Sequence, residues 1–104
     1  MTMIVVIFNL KEGVSPQEYE DWARASDLPA VNQLGSVAKF EVLRTTGVLG
    51  SDDAAPYQYV ELLNVADMDA LGGDVSSETM QRVAGEFQQF ADNPTFMLTQ
   101  DIQA

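Results

Sequence analysis

Cysteine and histidine are both missing from this chain. Without cysteine, disulfide bonds, thiolate nucleophiles and cysteine metal ligands are excluded. Without histidine, serine–histidine–aspartate catalysis, histidine general bases and histidine-rich zinc or iron sites are excluded as well. Any acid–base chemistry must therefore come from aspartate, glutamate, tyrosine or lysine, or from a bound ligand.

Basic residues are scarce: the chain has 5 lysines and arginines against 16 acidic residues, a net charge of −11. This charge repels phosphate backbones and anionic lipids, so we expect no nucleic-acid partner and no membrane partner. No apolar run approaches the roughly 20 residues that a membrane span needs. Residues 1–10 also lack the basic start and the cleavage site of a signal peptide, which favours a cytoplasmic location.

Motifs for cofactors and metals are lacking too. The 7 glycines form neither a G-x-G-x-x-G pattern nor a phosphate-binding loop. Asp52 and Asp53 stand together, but no further oxygen ligands are spaced around them, so we interpret them as a solvated loop. We therefore expect neither a cofactor nor a metal.

The composition that remains is that of one globular domain. The chain has 104 residues, of which 46% are hydrophobic and 20% are charged, and this predicts a single domain over residues 1–104. A domain of this size buries a limited fraction of its surface, so association with a second copy would add stability.

Four segments have the composition of strands. Residues 3–10 form a continuous β-branched and aromatic run, which predicts a strand buried on both faces. Strands are also predicted over residues 37–46, 57–65 and 96–102. The loop over residues 47–56 is long for a hairpin connection, where two to five residues are usual, so we interpret it as more than a connector.

The first helix has a clear start signal. Ser15 is typical of an N-cap, Pro16 suits the first helical position, and Glu18 completes a capping box. Pro29 disfavours helical geometry at the residue before it, so we predict a break near Asp27. Helical spacing puts Tyr19, Trp22, Ala23 and Ser26 on one face, and Gln17, Glu20, Asp21 and Arg24 on the other.

Three further helical segments are predicted. A short piece covers about residues 30–34, and a single turn covers residues 67–71, where Gly72 and Gly73 should stop it. Apolar side chains at i, i+3, i+4 and i+7 spacing predict an amphipathic helix over residues 77–91.

The resulting order, β-α-β-β-α-β, predicts an α+β ferredoxin-like fold with a four-stranded antiparallel sheet and two helices on one face. Strand alternation gives the first strand two apolar faces, one with Met3, Val5 and Ile7 and the other with Ile4, Val6, Phe8 and Leu10. Two helices cover only one face. The simplest cover for the other is the same face of a second copy, which predicts a symmetric homodimer.

Asp27 is the first candidate for acid–base catalysis. Beside the predicted break, and over the mouth of a helix–sheet cleft, its carboxylate would serve as a general base, and partial burial would raise its pKa. The alternative is an N-cap for the next helical piece. Tyr19 and Trp22 are candidates for lining a pocket that stacks on a flat ligand, or else ordinary core residues.

Strand alternation places Tyr57, Tyr59 and Glu61 on one face of the third strand. If that face is the helix side, Tyr59 and Glu61 are candidates for proton transfer and Tyr57 for ligand binding. If it is the dimer side, Glu61 would pair with Arg44 or Lys39.

Arg44 and Asn9 complete the set of candidate ligand-binding residues. Arg44 is one of few arginines and would anchor an anionic or carbonyl group, although an interface ion pair explains it equally well. Asn9 interrupts an apolar strand, so it either orients a substrate carbonyl or marks the end of the strand.

The first helix resembles the dimeric α/β-barrel superfamily. Several of its members carry an aromatic residue, then a tryptophan, then His-x-Pro, and this chain matches with Tyr19, Trp22 and Asp27-Leu28-Pro29. Asp27 stands where those relatives have histidine, so the resemblance does not extend to histidine-dependent chemistry or haem ligation.

A closer resemblance covers nearly the whole chain. The segments WARASDLPAVNQL, FEVLRTTGVLG, PYQYVELLNV and MQRVAGEFQQFADNP are similar to the REDY-like (HapK) family. This resemblance implies a ferredoxin-like homodimer associated with biosynthesis of prodiginine-type tripyrrole pigments. The family supplies no catalytic residues to carry over.

Two functions are compatible with these observations. In the first, the protein binds a small apolar or aromatic metabolite and assists its condensation, cyclisation or cofactor-free oxidation, using Asp27, Trp22, Tyr59 and Glu61. In the second, it is a non-catalytic accessory or carrier dimer that stabilises or delivers such a compound.

Overall fold

A computed structural model describes residues 2–103 and shows a four-stranded sheet with helices packed on it. The predicted α+β, ferredoxin-like order is confirmed, with an additional short helix before the last one. The elements are β1 (Thr2–Leu10), α1 (Pro16–Trp22), a π-helical turn (Ala23–Asp27), α2 (Leu28–Asn32), β2 (Val37–Arg44), β3 (Tyr59–Val65), α3 (Met68–Val75), α4 (Glu78–Phe90) and β4 (Ala91–Gln100).

The sheet has the strand order β2-β3-β1-β4, and every neighbouring pair is antiparallel. Val6 at the centre of β1 lies opposite Glu61 of β3 and Phe96 of β4. The alternation predicted for β1 is confirmed. The side chains that face the helices are buried, namely Ile4, Val6, Phe8 and Leu10. Those on the opposite face are half-buried.

An aromatic cluster joins the first and last helices to the sheet. Tyr19 is fully buried, with its ring centroid 4.8 Å from that of Tyr59 and 5.5 Å from that of Phe8. Phe8 in turn meets Phe87 of α4 edge-on at 5.1 Å. Edge-to-face pairs of this kind add about 1 kcal/mol each beyond their buried area, so they hold α1 and α4 against β1 and β3.

The predicted start of the first helix is confirmed, because the Ser15 hydroxyl accepts a hydrogen bond from the Glu18 amide at 3.1 Å. The predicted break near Asp27 is wrong. Leu28 is helical, and its amide donates to the carbonyl of Ala23, five residues earlier. The wider π-helical turn carries the chain past Pro29, which enters α2 in its first turn, where a missing amide hydrogen costs little.

Two other predicted ends are corrected. Helix α3 does not stop at Gly72-Gly73 but continues to Val75, after Asp67 caps its first turn by accepting from the Ala70 amide at 3.1 Å. Strand β3 begins at Tyr59 and not at Tyr57, which lies in the preceding loop.

Strand β4 begins at Ala91, directly after α4, and thus earlier than predicted. Asn93 adopts a positive φ of 49° beside a register shift between Ile7 and Asn9 of β1. This bulge lets Pro94 sit within the strand, since a bulged position needs no amide donor.

Among the helices that the structure describes within residues 2–103, none combines the length and the apolar character needed to cross a membrane.

Candidate functional site

A cavity of about 250 Å³ lies between the helices and the face of the sheet that they cover. All four strands and helices α2, α3 and α4 contribute apolar side chains to its wall, among them Ile4, Val31, Phe40, Leu71, Val83 and Phe96. The described polar side chains in that wall are two acids, Asp27 and Glu61. The structure therefore brings together two residues that are 34 positions apart and were predicted separately.

Asp27 reaches the cavity from the last residue of the π-helical turn. Its side chain is 6% exposed, and its carboxyl makes no helix-capping hydrogen bond. The alternative interpretation of Asp27 as an N-cap is therefore wrong. Burial alone raises the pKa of Asp27 to about 7. Single π-helical turns are frequent at functional sites because they redirect one side chain.

Glu61 reaches the same cavity from the middle of β3. Strand alternation puts it on the helix side with Tyr59, so the first of the two predicted orientations is correct. It is 5% exposed and accepts a hydrogen bond from the Tyr19 hydroxyl at 3.1 Å. Burial first, and then the nearby Asp27, raise the pKa of Glu61 to about 8, although the bond from Tyr19 acts in the opposite direction.

Asp27 and Glu61 are two buried carboxyls in one cavity whose pKa values both lie near neutral pH. Because the charge on Asp27 raises the pKa of Glu61, the two titrations are coupled and the protons leave in two steps that belong to the pair. At neutral pH the pair retains protons that ordinary carboxyls have lost, so one group can accept a proton while the other donates one. Burial and the negative charge on Glu61 also raise the pKa of Tyr19, which keeps its phenol protonated as the donor.

Tyr59 and Arg44 meet at a different place, where both contact Glu20 of α1. The Tyr59 hydroxyl donates to Glu20 Oε2 at 2.7 Å, and Arg44 Nε donates to the same oxygen at 2.8 Å. These bonds, with that from Arg44 the larger effect, lower the pKa of Glu20 to about 2, while burial raises that of Tyr59 to about 12. The cluster borders a surface cleft of about 350 Å³ that also includes Arg24.

Sequence reasoning missed Glu20, which it placed on the solvent side of α1. The signal was its i, i+4 relation to Arg24, and these two residues do form an ion pair at 3.3 Å. The contact with Arg44 and Tyr59 depends on how α1 lies across the sheet.

Trp22 packs between α1 and α4 and does not line the cavity. Its Nε1 donates to Glu86 Oε1 at 3.0 Å, and its ring lies 5.1 Å from that of Phe90 and 6.0 Å from that of Tyr19. Tyr19 likewise contributes its hydroxyl to the site through Glu61. Both aromatic residues therefore lie outside the lining of the cavity and pack next to it.

Asn9 and Tyr57 lie at the end of the long loop, away from the cavity. Asn9 Oδ1 accepts from the Gln58 amide at 2.9 Å, and Asn9 Nδ2 donates to the Pro56 carbonyl at 3.3 Å. The Gln58 side chain in turn accepts from the Leu10 amide at 2.6 Å. These bonds fasten the loop to β1, and the Tyr57 side chain is exposed beside them.

The family model described as REDY-like protein HapK matches residues 2–102. The chain belongs to this family. Among curated proteins, none matches the chain significantly.

Solved structures similar to this member of the REDY-like family share its fold. HapK from Hahella chejuensis is 24% identical, with a TM-score of 0.77, and the match covers 100% of this chain and 95% of that one. SnoaB, a cofactor-independent oxygenase from Streptomyces nogalater, is 16% identical with a TM-score of 0.75, covering 99% and 94%. A dimeric protein of unknown function with a ferredoxin-like fold from Bacteroides fragilis is 13% identical with a TM-score of 0.67, covering 96% and 95%.

Proposed function

We propose that this REDY-like family member binds a small apolar or aromatic metabolite in the cavity and moves protons on it through Asp27 and Glu61. One observation carries the proposal: the described wall of the cavity is apolar except for two buried carboxyls. Ligand sites typically combine a mostly apolar wall with a few convergent polar groups whose pKa values are shifted.

The pair supports chemistry that needs no cofactor. The deprotonated carboxylate removes a proton from carbon or oxygen of the ligand, and the protonated carboxyl returns one to a ligand oxygen or nitrogen. Such a transfer assists condensation or cyclisation. It also assists oxidation by dioxygen, in which the deprotonated ligand supplies the electrons. The similarity of fold to SnoaB, a cofactor-independent oxygenase, supports including this third reaction.

For the metabolic setting, we propose secondary metabolism of the prodiginine type. The support is membership of the REDY-like HapK family, which matches nearly the whole described chain. The apolar wall of the cavity agrees with an aromatic intermediate of such a pathway.

We also propose that the protein is a homodimer formed through the open face of the sheet. That face presents half-buried apolar side chains from the two central strands, including Val5, Ile7, Val60 and Leu62. Apolar side chains that share one uncovered face are typical of an interaction site, and the similar Bacteroides fragilis protein is described as dimeric.

The second candidate is a non-catalytic carrier that holds an intermediate for a partner enzyme. Its support is that the described wall surrounds the two acids with apolar side chains alone, which suits retention of a ligand as well as reaction. The two candidates differ in what Asp27 and Glu61 do after binding.

The test combines ligand identification with a blocked cavity. We expect mass spectrometry of protein purified from its native extract to detect a retained aromatic compound. Ala84 is exposed but lines the cavity, so Ala84→Trp should block it and abolish retention. Gln88 is also exposed on the same helix but lies outside the lining, so Gln88→Trp should not change retention. Equal retention by both variants would place the ligand elsewhere and refute the proposal.

The identified ligand then separates the enzyme from the carrier. With an enzyme, Asp27→Asn and Glu61→Gln should each lower the rate of conversion by roughly 100-fold or more while the ligand still binds. With a carrier, wild-type protein converts nothing and releases the ligand intact.

A further inference from the structure

The Asp27 carboxyl lacks a hydrogen-bond donor among the described residues. It is 6% exposed, faces the cavity and makes no capping contact, and burial is the sole cause acting on its pKa. Glu61 receives one bond, from the Tyr19 hydroxyl. Since each carboxyl has two oxygens that accept hydrogen bonds, the described residues satisfy only a small part of the accepting capacity of the pair.

Positive charge is also absent from the described wall of the cavity, which holds neither lysine nor arginine. Arg24 belongs to the same π-helical turn, yet it lies outside, where it pairs with Glu20 at 3.3 Å and Asp21 at 3.6 Å. Tyr19 of α1 is the remaining titratable group near the pair: its hydroxyl donates to Glu61, and both acids raise its pKa. The described lining from α2, α3, α4, β1, β2 and β4 is apolar.

Buried carboxyls without donors or counter-charges are costly, and a bound ligand can supply both. A protonated amine or a protonated nitrogen heterocycle does so in one group. It places N–H donors on the carboxyl oxygens and offsets their charge, and such charge-assisted bonds are about twice as strong as neutral ones. A carboxylate ligand is instead repelled by the two acids. The net charge of −11 also favours cationic over anionic ligands outside the cavity.

We propose that the cavity selects a flat apolar compound that carries a basic nitrogen, with its N–H groups held between Asp27 and Glu61. This inference rests on the proposed function, because it names the class of ligand for the same cavity. The apolar wall binds the flat body and excludes water, and the two carboxyls orient the nitrogen.

Proton release accompanies binding of this class. A cation between the carboxyls favours their charged forms and lowers their pKa values from about 7 and about 8. Protons held by the free protein near neutral pH therefore leave when the ligand enters. A neutral compound of the same shape releases none.

Three matched probes test the inference by calorimetry at about pH 7.5, in two buffers that differ in ionisation enthalpy. They are 1-naphthylmethylamine, 1-naphthylmethanol and 1-naphthoate, which share an aromatic body and differ in charge. We expect the amine to bind at least about tenfold more tightly than the alcohol, with release of protons. We expect naphthoate to bind most weakly.

Substitutions of the two cavity acids test whether they cause the preference for the amine. Asp27→Asn and Glu61→Gln should each reduce the advantage of the amine, whereas Asp21→Asn, which removes an exposed acid from α1, should leave it unchanged. Circular dichroism confirms that each variant is folded, and either cavity variant alone suffices for the test.

The possible results distinguish this inference from the proposed function. Equal binding of amine and alcohol, or tightest binding of naphthoate, overturns the inference that the ligand carries a basic nitrogen. The proposal that the cavity binds an apolar ligand then still stands. An amine preference that survives both cavity variants lies outside the cavity and also overturns the inference. Failure of all three probes to bind overturns the inference and the proposed function together.

Discussion

Asp27 and Glu61 are buried at a cost to folding that depends on pH. Between pH 3.8 and about 7 the folded protein keeps a proton on Asp27 that the unfolded chain has largely released. The folded state then binds more protons, so the free energy of unfolding falls as the pH rises through this interval. Each unit of pKa difference corresponds to about 1.4 kcal/mol, which makes the total on the order of a few kcal/mol.

We expect Asp27→Asn to remove the part of this dependence that Asp27 causes, while the part that Glu61 causes remains. Its free energy of unfolding should exceed that of the wild type above about pH 7 and lose the advantage near pH 4. Urea denaturation over a pH series measures both curves, with the exposed Asp21→Asn as the control. Parallel curves for the wild type and Asp27→Asn would show that Asp27 is not buried as described.

The Tyr19 hydroxyl gives a second prediction at this scale. Its bond to Glu61 lowers the pKa of that carboxyl against the effect of burial. We expect Tyr19→Phe to raise the pKa of Glu61 further while the ring keeps its contacts, with a stability loss of about 1 kcal/mol. Carbon-13 NMR titration of the Glu61 carboxyl measures the shift. Tyr57→Phe, in the exposed loop, should leave that titration unchanged, and an equal effect there would contradict the assignment.

The π-helical turn is the element that local sequence preferences did not predict, because they indicate a helix break at this position. Pro29 predicts a helix end because a proline cannot donate to the carbonyl four residues earlier and crowds it. The chain meets this constraint by widening the turn before the proline instead of leaving the helix. Packing on the sheet from both sides of the turn holds the helix together, with Ala23 and Val31 buried.

Helix α3 is the least anchored element that the structure describes. None of its described residues is fully buried, and it covers the cavity through Leu71 and Val75. Gly72 and Gly73 lie within it and leave open space where a Cβ would be. In a helix interior each glycine costs up to about 1 kcal/mol relative to alanine, so α3 should open locally before the rest of the domain.

We therefore expect Gly72→Ala and Gly73→Ala each to slow amide hydrogen exchange in α3 by roughly fivefold, the factor that about 1 kcal/mol gives. Gly85→Ala is the matched control, because Gly85 lies in α4 with equally open space around its Cβ position. It should leave exchange in α3 unchanged. Wild-type amides of α3 that exchange as slowly as those of α4 would contradict the prediction.

For the whole molecule, the open face of the sheet makes the homodimer testable. We expect light scattering coupled to size exclusion at micromolar concentration to give the mass of a dimer. Leu62→Glu puts a charge in the centre of that face and should yield a monomer. Leu98→Glu is the control, because Leu98 pairs with Ile4 and lies on the helix side of the edge strand β4. A monomeric wild type would refute the dimer.

The sequence by itself determined the class of fold and the chemistry that is excluded. Element order, the capped start of α1 and the alternation of β1 follow from local hydrogen bonding and side-chain periodicity, which a chain carries residue by residue. The absence of cysteine and histidine restricts the candidate acid–base chemistry to carboxyls, phenols and lysines.

The tertiary structure alone decided which candidates meet. Asp27 and Glu61 share a cavity because the π-helical turn redirects one and the register of β3 aims the other. Tyr59 and Arg44 were also predicted as site residues, but they bind Glu20 at a separate surface cleft. Such contacts depend on the angle at which a helix crosses a sheet, and that angle is set by packing between distant residues.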